Sequence, residues 1–196
     1  REEEQAVLEC IRSGWVAQGP KVAAFEQAMC EHTGAHRGVA VSSCTTGLHL
    51  ALVAADISPG DEVIVPSLSF IATANAPRYV GAVPVFADVD LATQNLTVET
   101  IKTAATDRTK AVILVHQVGM PADIGAVRAL CDERGWTLIE DAACAIGSTF
   151  NGKPIGQHSD FVVFSFHPRK LLTTGEGGMV MTTRDELADR MVRLRQ

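Results

Sequence analysis

Solid runs of apolar, β-branched residues alternate with helical segments along the chain, and this alternation constrains the fold more than any other feature. Such runs suit strands that helices cover on both faces. The predicted strands and the helices between them lie at 38–41, 45–55, 62–66, 70–80, 83–88, 98–105, 110–115, 122–134 and 137–141. Because repeated strand–helix units imply right-handed crossovers, we expect an α/β fold with a mostly parallel sheet.

The two ends of the chain depart from this rhythm. Residues 1–34 predict two helices that precede the first strand. Near the other end, Asn151-Gly152 predicts a β-hairpin, and short strands at 161–166 and 178–183 follow it. The sequence starts without Met and stops inside a helical pattern, so we expect one domain over 1–196 that belongs to a longer protein.

Composition excludes several functional classes. The formal net charge of −6 argues against a protein that binds a nucleic-acid phosphate backbone. No apolar stretch approaches the roughly 20 residues that span a bilayer, so no membrane partner is expected. The five cysteines form no C-x-x-C pair, which favours free thiols in a reducing, cytoplasmic compartment and predicts no metal site.

A cluster of small polar residues, VSSCTTG at 41–47, joins a strand to a helix. Helix N-termini carry free N–H groups and a positive dipole end, which together favour an anion. The alternative is that Ser43 or Thr45 simply caps the helix. Both readings remain open from this segment alone.

Two carboxylates, Glu140 and Asp141, follow an apolar strand in the segment TLIEDAACAIG. An acidic residue is rarely buried without a partner. Asp141 could therefore face a cation such as a protonated ring nitrogen. It could equally cap the next segment, 142–147, which we read as a helix.

Lys170 differs from the other four lysines of the chain, which lie on predicted helices, at a strand start or at a hairpin tip. It stands between a strand and the glycine-rich segment TTGEGG, with Ser165 and His167 nearby. A lysine that is desolvated in such a place can lose its proton and attack a carbonyl carbon. The alternative is an ordinary surface lysine.

Taken in order, several segments resemble the DegT/DnrJ/StrS family of aminotransferases, which use pyridoxal phosphate and act on nucleotide-linked keto sugars. These segments are GWVAQGPKVAAFE, VSSCTTGLHLAL, GDEVIVPSLSFIATANA, GAVPVFADVD, IEDAACAIGS and FSFHPRKLLTTGEGGMV. The resemblance runs from about Trp15 to Arg195. It implies that 1–196 is the cofactor-binding large domain of the aspartate-aminotransferase-like fold, without the small C-terminal domain.

The resemblance also implies roles for individual residues. Lys170 matches the lysine that forms a Schiff base with the cofactor. Asp141 matches the carboxylate that keeps the pyridine nitrogen protonated. Thr45, together with the backbone around Cys44 and Thr46, matches the site that binds the cofactor phosphate.

Further residues match positions around the cofactor. Ser165 matches a hydroxyl that reaches the phosphate, Phe70 matches an aromatic ring stacked on the cofactor, and His167 lies beside the lysine as a third catalytic candidate. Two positions depart from the family pattern. Cys144 replaces a glutamine that donates to the phenolic oxygen, and a thiol is a weaker donor. Cys44 replaces a glycine, which adds a side chain where the backbone must approach the phosphate.

The expected function is therefore amino-group transfer, with glutamate as donor, to a keto carbon of a nucleotide-activated deoxysugar. The cofactor is pyridoxal 5′-phosphate, with pyridoxamine 5′-phosphate as intermediate, and a cytoplasmic homodimer is expected. Such products enter polysaccharide, lipopolysaccharide or antibiotic biosynthesis. One alternative is another lysine-imine enzyme of this fold. The other is a regulatory or sensory protein that kept the fold, although it predicts a damaged site, which an intact Lys170 and Asp141 argue against.

Overall fold

The centre of the protein is a seven-stranded sheet, seen here in a computed structural model that describes residues 1–195. Its strands are β1 (Arg37–Val41), β2 (Glu62–Pro66), β3 (Val83–Ala87), β4 (Thr109–Val115), β5 (Thr137–Asp141), β8 (Phe161–Ser165) and β9 (Gly178–Thr182). A separate hairpin consists of β6 (Thr149–Phe150) and β7 (Lys153–Pro154). All the predicted strands are confirmed.

The strand order is β1-β9-β8-β5-β4-β2-β3. Strand β9 runs antiparallel to both of its neighbours, and the other four pairings are parallel. The prediction of a mostly parallel sheet is therefore confirmed. Because β9 returns directly beside β8, the segment between them, 166–177, lies at the same edge of the sheet as the carboxyl ends of β2, β4 and β5.

Helices cover both faces of the sheet, as predicted. They are α1 (Glu2–Ser13), α2 (Pro20–Thr33), α3 (Cys44–Ala54), α4 (Ile71–Tyr79), α5 (Val98–Ala104), α6 (Ile124–Arg134) and α7 (Asp185–Leu194), with a short 3₁₀ turn at Gln117–Gly119. Helices α2, α5 and α6 contribute to one core cluster, and α3, α4 and α7 contribute to the other. Strand β4 shows the alternation behind this arrangement, since Val112 and Leu114 enter the first cluster while Ala111 and Ile113 enter the second.

The prediction of a helix at 142–147 is wrong. The segment forms two successive turns, in which Ala145 N donates to Ala142 O and Ser148 N donates to Ala145 O. Ala142 N still donates to Val163 O of β8, and Gly147 is already left-handed at φ +82°. The segment between Ala142 and Gly147 is therefore too short to nucleate a helix.

The hairpin prediction is confirmed, because Asn151 and Gly152 both have positive φ, at +50° and +75°, as a type I′ turn requires. The two N-terminal helices are also confirmed. Among residues 1–195, none packs over α1 closely enough to bury any of its side chains. Of the helices in this described part, none combines the length and apolar character needed to cross a bilayer.

Candidate active site

A cavity of about 620 Å³ opens at the carboxyl edge of the parallel strands. Seven of the nine residues predicted from the sequence line it. These are Cys44, Thr45, Phe70, Asp141, Ser165, His167 and Lys170. Thr46 and Cys144 lie next to lining residues without lining the cavity themselves. The topology explains the assembly, since parallel strands bring their carboxyl ends, and the loops that leave them, to one edge.

Asp141, the last residue of β5, is the buried acid of this cavity. Its side chain is only 6% exposed. Oδ2 accepts a hydrogen bond of 2.9 Å from the Thr73 hydroxyl, and Oδ1 accepts one of 3.2 Å from Ala143 N. Burial raises the pKa of Asp141, and the hydrogen bonds from Thr73 and Ala143 oppose that rise. The site therefore holds a carboxylate that a cation would stabilise.

Cys44, the first residue of α3, directs its thiol toward the sheet. Its Sγ lies 3.9 Å from Asp141 Oδ1 and 3.9 Å from Val163 O. Burial, followed by the negative charge of Asp141, holds the pKa of the Cys44 thiol well above its usual range. We expected the Cys44 side chain beside a phosphate. It lies instead beside the buried carboxylate of Asp141, and it leaves the N-terminus of α3 open.

The N-terminus of α3 forms a capping box. Ser43 Oγ accepts from Thr46 N at 3.1 Å, and Thr46 Oγ1 accepts from Ser43 N at 3.0 Å. Thr46 is therefore occupied in capping the helix. The N–H groups of Cys44 and Thr45 belong to the first turn, which has no acceptors within the helix, and they point to where an anion would bind. The capping role is confirmed for Ser43, and the anion site stays a prediction.

Lys170 lies on the β8–β9 segment, in a turn closed by the bond from its own N to His167 O at 2.9 Å. Its Nζ lies 3.2 Å from the Sγ of Cys144, which is exposed on the turn after β5. His167 Nδ1 accepts from Arg169 N at 3.2 Å, and its Nε2 lies 3.6 Å from Glu176 Oε1. The ammonium-bearing side chain and the buried carboxylate of Asp141 thus reach one cavity from different strand ends.

Two other residues predicted from the sequence, Phe70 and Ser165, lie in the wall of the cavity. Phe70 is the N-cap residue of α4, and its ring is 76% exposed although it lines the cavity. An aromatic ring so exposed in a concave site offers a free face for stacking. Ser165, at the end of β8, is 8% exposed, and its Oγ accepts from His167 N at 3.4 Å.

Sequence reasoning missed the hydroxyl group that contacts Asp141. Thr73 is buried on α4 and follows Ser69 by four residues, with 2.7 Å between their hydroxyl oxygens. The signal in the sequence was the helical spacing of two hydroxyl residues just after the strand β2.

A second buried polar pair lies on the other side of β5. His116 Nε2 lies 2.7 Å from Glu140 Oε2, and both side chains are fully buried. His116 Nδ1 accepts from Ala122 N at 3.2 Å, so Nε2 carries the proton and donates to the carboxylate. The hydrogen bond between His116 and Glu140 connects the loop after β4 to β5, at the residue that precedes Asp141.

The mostly parallel sheet with helices on both faces is the fold of the fold type I, aspartate-aminotransferase-like transferases. The chain belongs to the DegT/DnrJ/EryC1/StrS aminotransferase family, which it matches over residues 1–196. This confirms the family resemblance of the sequence.

Solved structures agree with this assignment. The aminotransferase TlmJ from Streptoalloteichus hindustanus is 44% identical, with a TM-score of 0.94, over 99% of this chain and 54% of its own. DesV from S. venezuelae, in complex with a ketimine intermediate, is 39% identical, with a TM-score of 0.97, over 100% of this chain and 53% of its own. DesI, in the presence of its TDP-sugar product, is 38% identical, with a TM-score of 0.93, over 97% of this chain and 48% of its own. The chain therefore spans about half the length of these structures.

Proposed function

We propose that the full-length protein is a pyridoxal-phosphate-dependent aminotransferase that transfers an amino group to the keto carbon of a nucleotide-linked sugar. The observation that carries this proposal is the convergence of Lys170 and Asp141 on one cavity, from the ends of β8 and β5. Membership of the aminotransferase family and the identity of 38–44% to sugar aminotransferases support it.

Three features of the cavity fit pyridoxal phosphate. The first-turn N–H groups of Cys44 and Thr45 suit a phosphate, because they lack acceptors within the helix. The buried carboxylate of Asp141 suits a protonated ring nitrogen, since a nearby cation would offset the cost of its burial. The exposed ring of Phe70 suits stacking on a flat heterocycle. Ser165 and the thiol of Cys44 complete the surroundings of the proposed site.

When bound, the cofactor supplies an electron sink that stabilises negative charge at the reacting carbon. Asp141 would hold the proton on the ring nitrogen, which keeps that sink effective. Lys170 would bind the cofactor covalently at rest and then move a proton between carbon positions as general base and acid. His167 lies within the same turn, where it would orient Lys170 or assist that proton transfer. Cys144, in contact with Lys170 Nζ, would lie near the phenolic oxygen.

The proposed substrate class rests on the solved structures of relatives and not on residues of this chain. DesI was solved with its TDP-sugar product, and we infer a nucleotide-activated keto sugar here, with glutamate as amino donor. Such a reaction belongs to the cytoplasm and serves the synthesis of amino sugars for polysaccharide, lipopolysaccharide or secondary metabolites.

We also propose that the protein acts as a homodimer that shares this edge of the sheet. Large apolar side chains lie exposed there, on the loops and at the start of α4. They include Leu68, Phe70, Ile71, Val118 and Leu171, with exposures from 46% to 89%. Exposed apolar groups gathered in one region indicate an interface, and an isologous dimer is the commonest closed assembly. Light scattering of the full-length protein checks this, and a monomer that transaminates would contradict it.

The experiment that tests the function is reconstitution of the full-length protein with pyridoxal phosphate. We expect a visible absorption band, and borohydride should fix the cofactor to the peptide that contains Lys170. Lys170→Ala should abolish both, whereas Lys153→Ala, at the exposed hairpin, should abolish neither. Label on Lys153 or Lys110 would overturn the assignment. A screen of keto-sugar nucleotides then tests the reaction, and cofactor binding without turnover of any of them would favour a regulatory role.

A further inference from the structure

Two hydroxyl side chains form a chain of hydrogen bonds that ends on Asp141. Ser69 Oγ lies 2.7 Å from Thr73 Oγ1, and Thr73 Oγ1 donates to Asp141 Oδ2 at 2.9 Å. Thr73 is 1% exposed and lies in the first turn of α4, whereas Asp141 ends β5, 68 residues further along the chain. The contact therefore exists only because α4 packs over the carboxyl edge of the sheet.

The direction of these bonds follows from the chemistry of the groups. An ionised carboxylate can only accept, so Thr73 must give its one proton to Asp141. The oxygen of Thr73 then has lone pairs free, and Ser69 donates to it. A hydroxyl that accepts a hydrogen bond becomes a stronger donor, so Ser69 strengthens the bond to Asp141.

The remaining surroundings of Asp141 give it little other support. Oδ1 accepts from Ala143 N at 3.2 Å and faces the Cys44 thiol at 3.9 Å. His116, at the end of β4, and Lys170, on the β8–β9 segment, act on it only through space. Thr73 is thus the one side chain that makes a short hydrogen bond to this carboxylate within residues 1–195.

We propose that Thr73, supported by Ser69, is a positioning residue that keeps Asp141 ionised and fixed in the orientation that its partner cation requires. This inference rests on the proposed function for the identity of that cation, the ring nitrogen of pyridoxal phosphate. Burial favours the neutral acid, and the hydroxyl pair counteracts it. Without the pair, Asp141 would take up a proton more readily and would hold the ring-nitrogen proton less firmly.

The test uses the full-length protein with three variants of Thr73 and its neighbours. Thr73→Val keeps the volume and removes the hydroxyl, Thr73→Ser restores a hydroxyl, and Ser69→Ala removes only the supporting donor. Thr182→Val is the matched control, because Thr182 is also a buried threonine, with 0% exposure, but its hydroxyl donates to Asp160 O away from the cavity.

Two measurements do not depend on turnover. In the cofactor-free protein, ¹³C NMR titration of the Asp141 carboxyl, assigned with Asp141→Asn, should give a higher pKa in Thr73→Val than in the wild type. In the reconstituted protein, the ¹⁵N shift of the labelled ring nitrogen should report a smaller protonated fraction. Thr73→Ser should restore both values, Ser69→Ala should show a smaller change in the same direction, and Thr182→Val should show none.

Kinetics provide the third measurement. We expect kcat to fall about tenfold in Thr73→Val with KM unchanged. Wild-type carboxyl titration in both Thr73→Val and Ser69→Ala would overturn the proposal. If Thr73→Val does not fold, Ser69→Ala decides by the same titration. If the wild-type protein neither binds the cofactor nor transaminates, the proposed function fails, while the cofactor-free titration still decides whether Thr73 controls Asp141.

Discussion

Gly178 lies at the point where β9 passes beneath the N-terminus of α3, and replacing it with alanine should disturb the proposed phosphate site. A Cβ built at Gly178 would lie 2.5 Å from Ser43 C, 2.6 Å from Cys44 N and 2.7 Å from Ser43 O. All three are backbone atoms, which cannot swing away as the end of a side chain can. Gly178 also pairs with Ser165 and Val41 in the sheet, so β9 is held from both sides.

The magnitude follows from these distances. Ordinary Cβ contacts begin at 3.4 Å, so the Ser43–Cys44 backbone would have to move by about 0.9 Å. Overpacking of this kind costs about 1–3 kcal/mol of folding free energy. A shift of that size would also break a hydrogen bond from the first turn of α3 to a phosphate, and a hydrogen bond to a charged group contributes about 1.5–3 kcal/mol. We therefore expect the cofactor affinity to fall by about 10- to 100-fold.

The assay is urea unfolding of the cofactor-free full-length protein, together with a cofactor titration followed by absorbance. Gly125→Ala is the matched control, because a Cβ at that position in α6 meets only ordinary contacts at 3.6 Å. Gly125 is the second residue of α6, so alanine there should stabilise this control by no more than about 1 kcal/mol. If Gly178→Ala keeps both the wild-type free energy of unfolding and the wild-type affinity, the close approach at the α3 N-terminus does not matter and the reasoning is wrong.

Further predictions concern three single residues. Burial raises the pKa of Asp141, so its ionised form opposes folding as the pH rises through that pKa. Asp141→Asn should raise the free energy of unfolding of the cofactor-free protein at pH 7, and the gain should vanish below about pH 4, where both states hold the proton. In the reconstituted protein, the same variant should lower kcat more than it weakens cofactor affinity, by loss of an interaction made in the transition state. Glu140→Ala should cost about 1–3 kcal/mol in thermal or urea unfolding, because it leaves the buried Nε2–H of His116 without an acceptor. Cys144→Gln should shift the pH at which the bound cofactor changes its absorption, while Cys144→Ala should slightly weaken cofactor retention.

The contradicting outcomes are equally specific. Asp141→Asn with wild-type kcat and only weaker cofactor retention would remove Asp141 from the chemistry. A cost below 1 kcal/mol for Glu140→Ala would mean that His116 finds another acceptor. Wild-type absorption and titration in both Cys144 variants would remove Cys144 from the proposed cofactor site.

Local pattern was enough to predict most of the fold. The apolar runs of β2 and β4 and the Asn151-Gly152 turn are encoded by residues that are neighbours in sequence, and all were predicted correctly. Lys170 and Asp141 were also singled out from sequence, because Asp141 ends an apolar strand and Lys170 lies between a strand and a glycine-rich segment. The prediction that failed, a helix at 142–147, failed because pairing of Ala142 with β8 overrides a helix-compatible composition.

The sequence by itself determined the strand–helix alternation and seven of the residues that line the cavity. Only the tertiary structure decided that β9 runs antiparallel, that the Cys44 thiol faces Asp141, and that Thr73 donates to that carboxylate. The last two features depend on contacts of Thr73 and Cys44 with Asp141, which lies 68 and 97 positions further along the chain. Strand pairing and helix packing set such contacts, and neither leaves a periodic signal in the sequence near the residues that make them.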